Sequence, residues 1–382
     1  MTSSEFSPEL RELQARIRAV AGEALARDLE ARDHDGVFDM AGWRTLAGLG
    51  LPGMLVPTAY GGSGGDPITV LAALEALGSV CADHGLIFSL GAHLWGCTHP
   101  IARFGDESQK SRLLPRLCSG EAMGALAASE PESGSDIFSL KTTARRSDQG
   151  YVLRGKKVFI TNGPVADVFL VLATLDPAKG PLAITAFLVE KGTPGLCIGG
   201  NVEKMGLRTT PMSEVCLEDC ELPVENRLGQ EGNGMAIFNF AMQWERAFIL
   251  GHVGGAMQRV LDRCVRYARE RRQFGQAIGS FQAVSHTLVE MQQRLEISRL
   301  LLFHLASMKQ KGEPALKETA RTKLYLSEAW VSNCHDALRL HGARGYLTEQ
   351  GLERELRDAI GSQIYSGTSE IQREVLARLL KL

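Results

Sequence analysis

The hydrophobic pattern of the chain begins with helical spacing. Leu10, Leu13 and Ile17 recur at intervals of three and four residues, which places their side chains on one face of a helix. A serine–proline pair at 7–8 is a typical helix start, because serine caps free amides and proline suits the first turn. Two further helical segments are predicted at 66–80 and 107–117. The first third of the chain is therefore predicted to be helical.

The period shortens to that of β-strands after about residue 124. Short apolar and β-branched runs alternate there with turn residues such as those at 162–164, a pattern typical of strands joined by tight turns. Five strands are predicted, at 151–153, 157–160, 168–172, 184–189 and 215–217. This part of the chain is predicted to form a compact β-domain.

The helical period returns after residue 232. Val284, Leu288, Met291 and Leu295 fall on one face of a long predicted helix. Helices, then strands, then helices predict an α+β fold rather than an alternating one. The expected parts are an N-terminal helical domain (1–123), a central β-domain (124–231) and a C-terminal helical domain (232–382).

Composition narrows the classes of partner. Lys plus Arg number 42 and Asp plus Glu 44, so the chain lacks the broad positive charge that nucleic-acid binding needs. No apolar run is long enough to cross a membrane, and residues 1–6 lack the basic start of a signal peptide. We expect no nucleic-acid or membrane partner, and a cytoplasmic location. The eight cysteines contain no C-x-x-C pair, which argues against a metal site and a disulfide framework.

Several separated motifs share one order along the chain. They are ASEPESGSD at 128–136, FITNG at 159–163, ERRQFG at 270–275 with FQ at 281–282, and GARGY at 342–346 with RD at 357–358. Together they resemble the signatures of the acyl-CoA dehydrogenase family and span nearly the whole chain. The resemblance implies that family's fold, with a C-terminal four-helix bundle, and FAD as the cofactor. It also implies α,β-dehydrogenation of an acyl thioester.

The resemblance also implies a set of cofactor contacts. Ser129 and Thr161 match the family's flavin-facing hydroxyls, although ordinary turn hydroxyls would give the same local pattern. Arg271 matches an arginine that contacts the cofactor pyrophosphate of a neighbouring subunit, which implies a homo-oligomer, either a tetramer or a dimer. Residues 339–345 depart from the family's Gln-x-x-Gly-Gly-Asn-Gly. The full set implied is Leu126, Ser129, Gly134, Ser135, Phe159, Thr161, Arg271, Phe274, Gln282, Arg339, Gly342, Thr368 and Glu370.

The segment YSGTS at 365–369 resembles the family's YEGTS, in which the glutamate is the catalytic base. Ser366 has no group that accepts a proton near neutral pH. A branch of the family that includes isovaleryl-CoA dehydrogenase carries this glutamate on the first helix of the C-terminal domain. Glu245 occupies the corresponding position, and we expect it to be the base.

The neighbours of Glu245 support this expectation independently. Residues three and four positions away on a helix are Ala241, Met242, Phe248 and Ile249, which are all apolar. Burial on such a face raises the pKa of a carboxyl group towards the range useful for a general base. A structural ion pair, formed with the next residue or with an arginine from another helix, is the alternative.

The resemblance gives the substrate two further contacts and a carbonyl donor. It implies that the backbone N–H of Ser366 polarises the thioester carbonyl, and that Ser135 and Arg246 contact the substrate. The segments around 244–246, 281–286 and 364–382 look like dehydrogenases that oxidise acyl or prolyl groups tethered to carrier proteins. Coenzyme A and a carrier protein both remain open as the group that carries the substrate.

The expected electron acceptor is an electron-transfer flavoprotein. An oxidase, a monooxygenase or a non-catalytic flavoprotein are the alternatives.

Overall fold

The computed structural model describes residues 7–382, so the six residues behind the signal-peptide expectation lie outside the described part. Helices occupy both ends of this part and strands occupy its middle. The N-terminal helices are α1 (Pro8–Ala24), α2 (Leu29–Asp35), α3 (Met40–Gly48), α4 (Pro67–Val80), α5 (His84–His93), α6 (His99–Phe104) and α7 (Glu107–Cys118). No helix in residues 7–382 is long and apolar enough to cross a bilayer.

The first helix begins where its sequence signal predicts. The Ser7 side chain accepts a hydrogen bond from the Leu10 amide at 3.3 Å, and a proline stands in the first turn. This cap satisfies one of the amides that an N-terminal helix end leaves without a partner. The segments predicted at 66–80 and 107–117 form α4 and α7.

The middle of the chain forms one sheet, whose strands are β1 (Gly124–Ala127), β2 (Thr143–Ser147), β3 (Gly150–Thr161), β4 (Val168–Thr174), β5 (Ile184–Glu190), β6 (Leu196–Ile198), β7 (Met212–Pro223) and β8 (Arg227–Leu228). Seven of them follow in the order β6-β7-β3-β2-β4-β5-β8, and β1 pairs with β4 in parallel. The two runs predicted at 151–153 and 157–160 form the single strand β3. Exposed Arg154 and Lys156 interrupt the apolar pattern there, and the pairing with β7 shifts register at the same place.

Strand β4 is buried on both faces. Val168 and Leu170 belong to a core shared with Leu113 of α7, whereas Phe169 and Val171 belong to the core between β4, β3 and β7. A strand covered on both sides needs apolar residues at every position, which explains its unbroken hydrophobic run. The first of these cores fixes the β-domain against the N-terminal helices.

The C-terminal part is a bundle of four helices with shorter elements attached. The bundle helices are α8 (Gly234–Phe248), α9 (Val253–Glu270), α10 (Gln282–Gln310) and α11 (Leu316–His341). The hairpin strands β9 (Arg272–Gln273) and β10 (Gln276–Ala277) precede α10, and α12 (Leu352–Gly361) and α13 (Ser369–Leu379) complete the chain.

The backbones of α4 and α9 touch where the N-terminal helices meet the bundle. A Cβ atom on Gly255 would lie 2.0 Å from the Glu75 carbonyl oxygen, and one on Gly78 would lie 2.0 Å from the His252 carbonyl oxygen. Neither position can hold a larger residue without separating the helices. This contact sets how closely the two helical parts approach each other.

A buried ion pair fixes the β-domain near β1 and β3. The fully buried Lys157 Nζ donates to Glu130 Oε1 at 2.7 Å and to the Ala128 carbonyl at 3.1 Å. The Glu130 carboxylate also accepts the amides of Lys141 and Thr142 at 2.5 and 3.0 Å. Burial lowers the pKa of Lys157 to about 8, against the opposing attraction of Glu130. The pair therefore joins the chain after β1 to the second half of β3.

We predict that Gly255→Ala lowers the free energy of unfolding by about 1 to 3 kcal/mol, the usual cost of overpacking a tight contact. Gly254→Ala is the matched control on the same helix, since its Cβ would meet nothing closer than 3.4 Å. Denaturant titration of both variants measures the difference. An equal loss in the two would contradict the backbone contact.

Lys157→Met is expected to remove about 3 kcal/mol or more of stability, because it leaves a buried carboxylate without its counter-ion. The neighbouring Lys156 pairs with Glu214 at 2.7 Å in an exposed position. Lys156→Met should therefore change stability by about 0.5 kcal/mol or less. Thermal and denaturant unfolding measure both. Similar losses in the two variants would show that burial of the pair is unimportant.

Candidate active site

Glu245 lies on α8 with its carboxylate half-buried. The four residues that precede and follow it by three and four positions, Ala241, Met242, Phe248 and Ile249, are all buried. The apolar surroundings expected from the helical spacing are therefore present around this side chain.

The Glu245 carboxylate is hydrogen-bonded to a residue far along the chain. The hydroxyl of Ser366 donates to Glu245 Oε1 at 2.5 Å. Arg246 points to the same residue from the other side, and its Nε donates to the Ser366 carbonyl oxygen at 3.0 Å. The alternative of an ion pair between Glu245 and Arg246 is not formed among the described residues, because the guanidinium binds a carbonyl instead.

Burial raises the pKa of Glu245. The Ser366 hydrogen bond and the charge of Arg246 lower it in part, but burial outweighs them. A carboxyl group whose pKa is raised towards neutrality is better suited to accept and release a proton than an ordinary surface glutamate. The site therefore has the electrostatics of a general base.

The turn between α12 and α13 is held in an unusual conformation. Ser366 has φ +57° and Gly367 has φ +89°. The Gly367 carbonyl accepts hydrogen bonds from Lys323 Nζ at 2.7 Å and Gln372 Nε2 at 3.0 Å. Thr368, assigned to the cofactor by the resemblance, caps α13 by accepting the Ile371 amide.

The Ser366 backbone N–H donates to no acceptor within residues 7–382. A left-handed φ is uncommon for a residue other than glycine and is often found at functional sites. The turn thus offers a free amide donor beside the carboxylate of Glu245.

A second group of expected residues lies along β1 and β3. Phe159 has φ +59°, and its side chain is 67% exposed, so the ring stands clear of the strand. Ser129 is joined to β3 by the hydrogen bond from the Val158 amide to its carbonyl at 3.0 Å. Leu126 in β1 and Thr161 at the end of β3 are partly buried. This region offers two hydroxyls, those of Ser129 and Thr161, and one exposed aromatic ring, and such groups suit a planar ligand ring with polar edges.

A π-helical segment, Leu94–Thr98, connects this edge to α8. A Cβ on Gly96 would lie 2.9 Å from Leu126 Cβ. The adjacent Trp95 packs on Phe248, with ring centroids 5.6 Å apart, and it stacks on Trp244. Single π-helical turns occur often at functional sites. This segment therefore packs against β1 on one side and against α8, the helix that carries Glu245, on the other.

Within one chain, the remaining expected residues lie outside the group around Glu245 and Ser366. Arg271, Phe274 and Gln282 are exposed, with 94% of the Phe274 side chain accessible and its φ at +49°. No hydrogen bond or ion pair joins these three to Glu245 or Ser366 among the described residues. The other expected positions with exposed side chains or backbone are Gly134, Ser135, Arg339, Gly342 and Glu370.

Three side chains of this region were given no role by the sequence: those of Asn162 and Lys323, and the hydroxyl of Ser366, whose backbone amide alone was predicted to act. Asn162 Nδ2 donates to the carbonyls of Ser89 and Gly124 at 2.9 and 3.3 Å, which ties α5 to β1 beside Thr161. Buried Lys323 holds the Gly367 carbonyl, and burial lowers its pKa to about 8. The Ser366 hydroxyl is the third. A lysine among apolar positions of α11 is the sequence signal that could have indicated Lys323.

Comparison with known proteins identifies three family models in chain order. The N-terminal domain of acyl-CoA dehydrogenase matches residues 7–121, the middle domain matches 125–220 and the C-terminal domain matches 232–381. Together these matches cover most of the chain.

Individual relatives cover the whole length. An L-prolyl-(peptidyl-carrier protein) dehydrogenase of Pseudomonas fluorescens is 40% identical over 372 residues, 97% of this chain and 98% of that protein. The crystal structure of the prolyl acyl carrier protein oxidase AnaB is 47% identical, with a TM-score of 0.97, and covers 99% of this chain and 100% of its own. The structure of PigA with FAD and proline is 38% identical, with a TM-score of 0.96 and 99% coverage of both chains. As its motifs predicted, the chain belongs to the acyl-CoA dehydrogenase family.

Proposed function

We propose that this protein is an FAD-dependent dehydrogenase of acyl thioesters in which Glu245 removes the α-proton. The observation that carries the proposal is a half-buried carboxylate with a raised pKa, held by a hydroxyl beside a free backbone amide. These are the groups that α-proton removal next to a carbonyl requires: a base, and a donor for the charge that develops on oxygen.

The residues of the turn have separate tasks in this reaction. Glu245 accepts the proton from the α-carbon. The Ser366 N–H donates to the thioester oxygen, whose negative charge grows as the proton leaves. Arg246 holds the Ser366 carbonyl, and Lys323 holds the Gly367 carbonyl. These two cations fix the peptide groups that follow Ser366, so the chain directly after the donating amide is held in place.

The residues along β1 and β3 fit the cofactor that the family uses. Ser129 and Thr161 offer hydroxyls to the polar edge of a flavin, and the exposed Phe159 ring and Leu126 offer apolar contact. FAD supplies the acceptor for the β-hydride when it is bound. We assign the rest of the cofactor to Gly134, Ser135, Arg339, Gly342, Thr368 and Glu370.

We further propose a carrier-bound prolyl group as the substrate. The support is that a relative named as a prolyl-carrier dehydrogenase, the oxidase AnaB and the PigA complex with proline all match along nearly their full length. A prolyl thioester has an acidic α-proton and a neighbouring β-carbon, so the chemistry of Glu245 applies to it unchanged. Ser135 and Arg246 are the proposed substrate contacts.

The electron acceptor has two candidates. An electron-transfer flavoprotein follows from the family resemblance. Molecular oxygen is favoured by the oxidase name of AnaB, the structure with 47% identity. The eight cysteines are all free thiols, which supports a reducing compartment such as the cytoplasm.

A homo-oligomer is proposed from the exposed group around the β9–β10 hairpin. Phe274 is 94% exposed, so its ring is available to pack against another surface. Arg271 and Gln282 lie exposed in the same region, and a planar guanidinium suits a phosphate contact. We propose that this group completes the cofactor site of a neighbouring subunit.

Anaerobic mixing of the flavin-loaded protein with a prolyl-carrier thioester is expected to bleach the flavin without an added reductant. Prolyl-CoA and aliphatic acyl-CoA thioesters should bleach it more slowly. Fast bleaching by aliphatic acyl-CoA alone would contradict the prolyl assignment, and bleaching only with an added reductant would indicate a monooxygenase. Subsequent admission of oxygen separates an oxidase, which forms hydrogen peroxide rapidly, from a protein that needs an electron-transfer flavoprotein.

Glu245→Gln should lower the bleaching rate by a factor of about 10² to 10⁴, the contribution of a general base, while the flavin stays bound. Glu221→Gln on the exposed side of β7 is the control and should bleach normally. Because Glu245 must be ionised, the wild-type rate should fall as the pH drops below its raised pKa. A Glu245→Gln variant with unchanged rates would exclude Glu245 as the base.

Phe274→Asp is expected to reduce both subunit association and flavin retention. Light scattering after size exclusion measures the mass, and the ratio of flavin to protein absorbance measures the cofactor. Leu182→Asp, at a residue that is 83% exposed on the β-domain, is the control and should change neither. A Phe274→Asp protein of unchanged mass and flavin content would remove the basis for a shared site.

A further inference from the structure

We propose that the side-chain hydroxyl of Ser366 is a positioning residue for Glu245: it orients the carboxylate for proton removal and favours its ionised form. The inference rests on the proposed role of Glu245 as the base. It is distinct from the role of the Ser366 backbone amide, because it concerns the other polar group of the same residue.

The contact between the two side chains is specific. Ser366 Oγ lies 2.5 Å from Glu245 Oε1, and within residues 7–382 this is the one hydrogen bond to the Glu245 carboxylate. An ionised carboxylate only accepts hydrogen bonds, so the hydroxyl must donate. A donor to the charged form stabilises it relative to the protonated form. The hydroxyl therefore offsets part of the cost of burying the base.

The direction of the hydroxyl is set by the backbone. Ser366 has φ +57°, and its carbonyl is held by Arg246 at 3.0 Å. The next carbonyl is held by Lys323 and Gln372. These contacts fix the two peptide groups that follow Ser366, and the Ser366 side chain points to α8, where its hydroxyl meets Glu245.

The backbone of this turn would be better served by glycine. A left-handed φ costs nothing to glycine but strains other residues. Position 366 nevertheless carries a side chain, and that side chain makes a hydrogen bond to the proposed base. The left-handed backbone explains where the hydroxyl points, but it does not explain why the residue is a serine, since glycine would adopt this conformation more easily.

Few charged groups face the Glu245 carboxylate from the elements packed around it. Arg246 on α8 lowers the pKa of Glu245 through its charge, and the apolar neighbours on α8 supply the burial that raises it. Tyr365 in the turn is partly buried, and burial raises the pKa of its phenol, which keeps it neutral. Lys323 on α11 contacts the Gly367 carbonyl rather than the carboxylate. The hydroxyl of Ser366 is thus the contact to the Glu245 carboxylate that a substitution can remove without changing a charge.

Ser366→Ala and Ser366→Gly test the proposal together. Both remove the hydroxyl, but the glycine variant also relieves the left-handed backbone. We expect the acid limb of the pH profile of flavin reduction to move to higher pH in both. The rate near pH 7 should fall on the order of tenfold, the factor expected for losing a hydrogen bond to a charged group. Thermal stability should be higher in the glycine variant than in the alanine variant.

A second measurement follows the carboxyl group without turnover. Infrared difference spectra against Glu245→Gln report the ionisation of Glu245 in the flavin-loaded protein, and its midpoint should rise in both Ser366 variants. Ser362→Ala removes a buried hydroxyl that has no hydrogen-bond partner within residues 7–382, and it should leave the midpoint unchanged.

The outcomes separate this inference from the proposed function. An infrared midpoint that is unchanged in both Ser366 variants overturns the inference. A pH profile that moves in Ser366→Ala but not in Ser366→Gly also overturns it, since backbone strain would then be the cause. A raised midpoint in a protein whose flavin no thioester reduces supports the positioning contact and refutes the proposed function.

Discussion

The burial of a single carboxylate, that of Glu245, is the constraint on which the site depends. Removing an ionised group from water is costly unless hydrogen bonds or counter-charges compensate. Here the compensation is incomplete. One hydroxyl donates to the carboxylate, but the adjacent Arg246 binds a backbone carbonyl instead of forming an ion pair with Glu245. The remaining imbalance appears as a raised pKa. A fully paired glutamate at this position would be more stable and a weaker base.

The rest of the molecule maintains this raised pKa by holding segments that are distant in sequence in fixed positions relative to each other. Helix α8 and the turn at 363–368 are separated by more than a hundred residues, so their contact depends on the packing of the bundle. The backbone contact between α4 and α9 fixes the bundle against the N-terminal helices. The Glu130–Lys157 pair fixes β1 against β3. The π-helical segment between α5 and α6 then brings the strand edge and α8 together.

Local signals in the sequence predicted the order of helices and strands well. The Ser7 cap and the apolar run of β4 follow from propensities and spacing that act over a few residues. Strand β1 was not predicted, because its Gly-Ala-Leu-Ala sequence has little β-propensity. In the candidate site, the apolar face around Glu245 was predictable from helical spacing. The hydrogen bond from Ser366 was not, since no local pattern determines which turn packs against α8.

The serine at 366 and the glutamate at 245 are best understood as one arrangement. The family's more usual glutamate at the position of Ser366 would lie within hydrogen-bond reach of Glu245, as the 2.5 Å contact of the serine shows. Two carboxylates at that distance cannot both be ionised, and they share one proton with split apparent pKa values. A serine at the same place replaces this repulsion with a donor. A base on α8 therefore requires a residue other than glutamate in the turn, and a hydroxyl meets that requirement while also stabilising the charge.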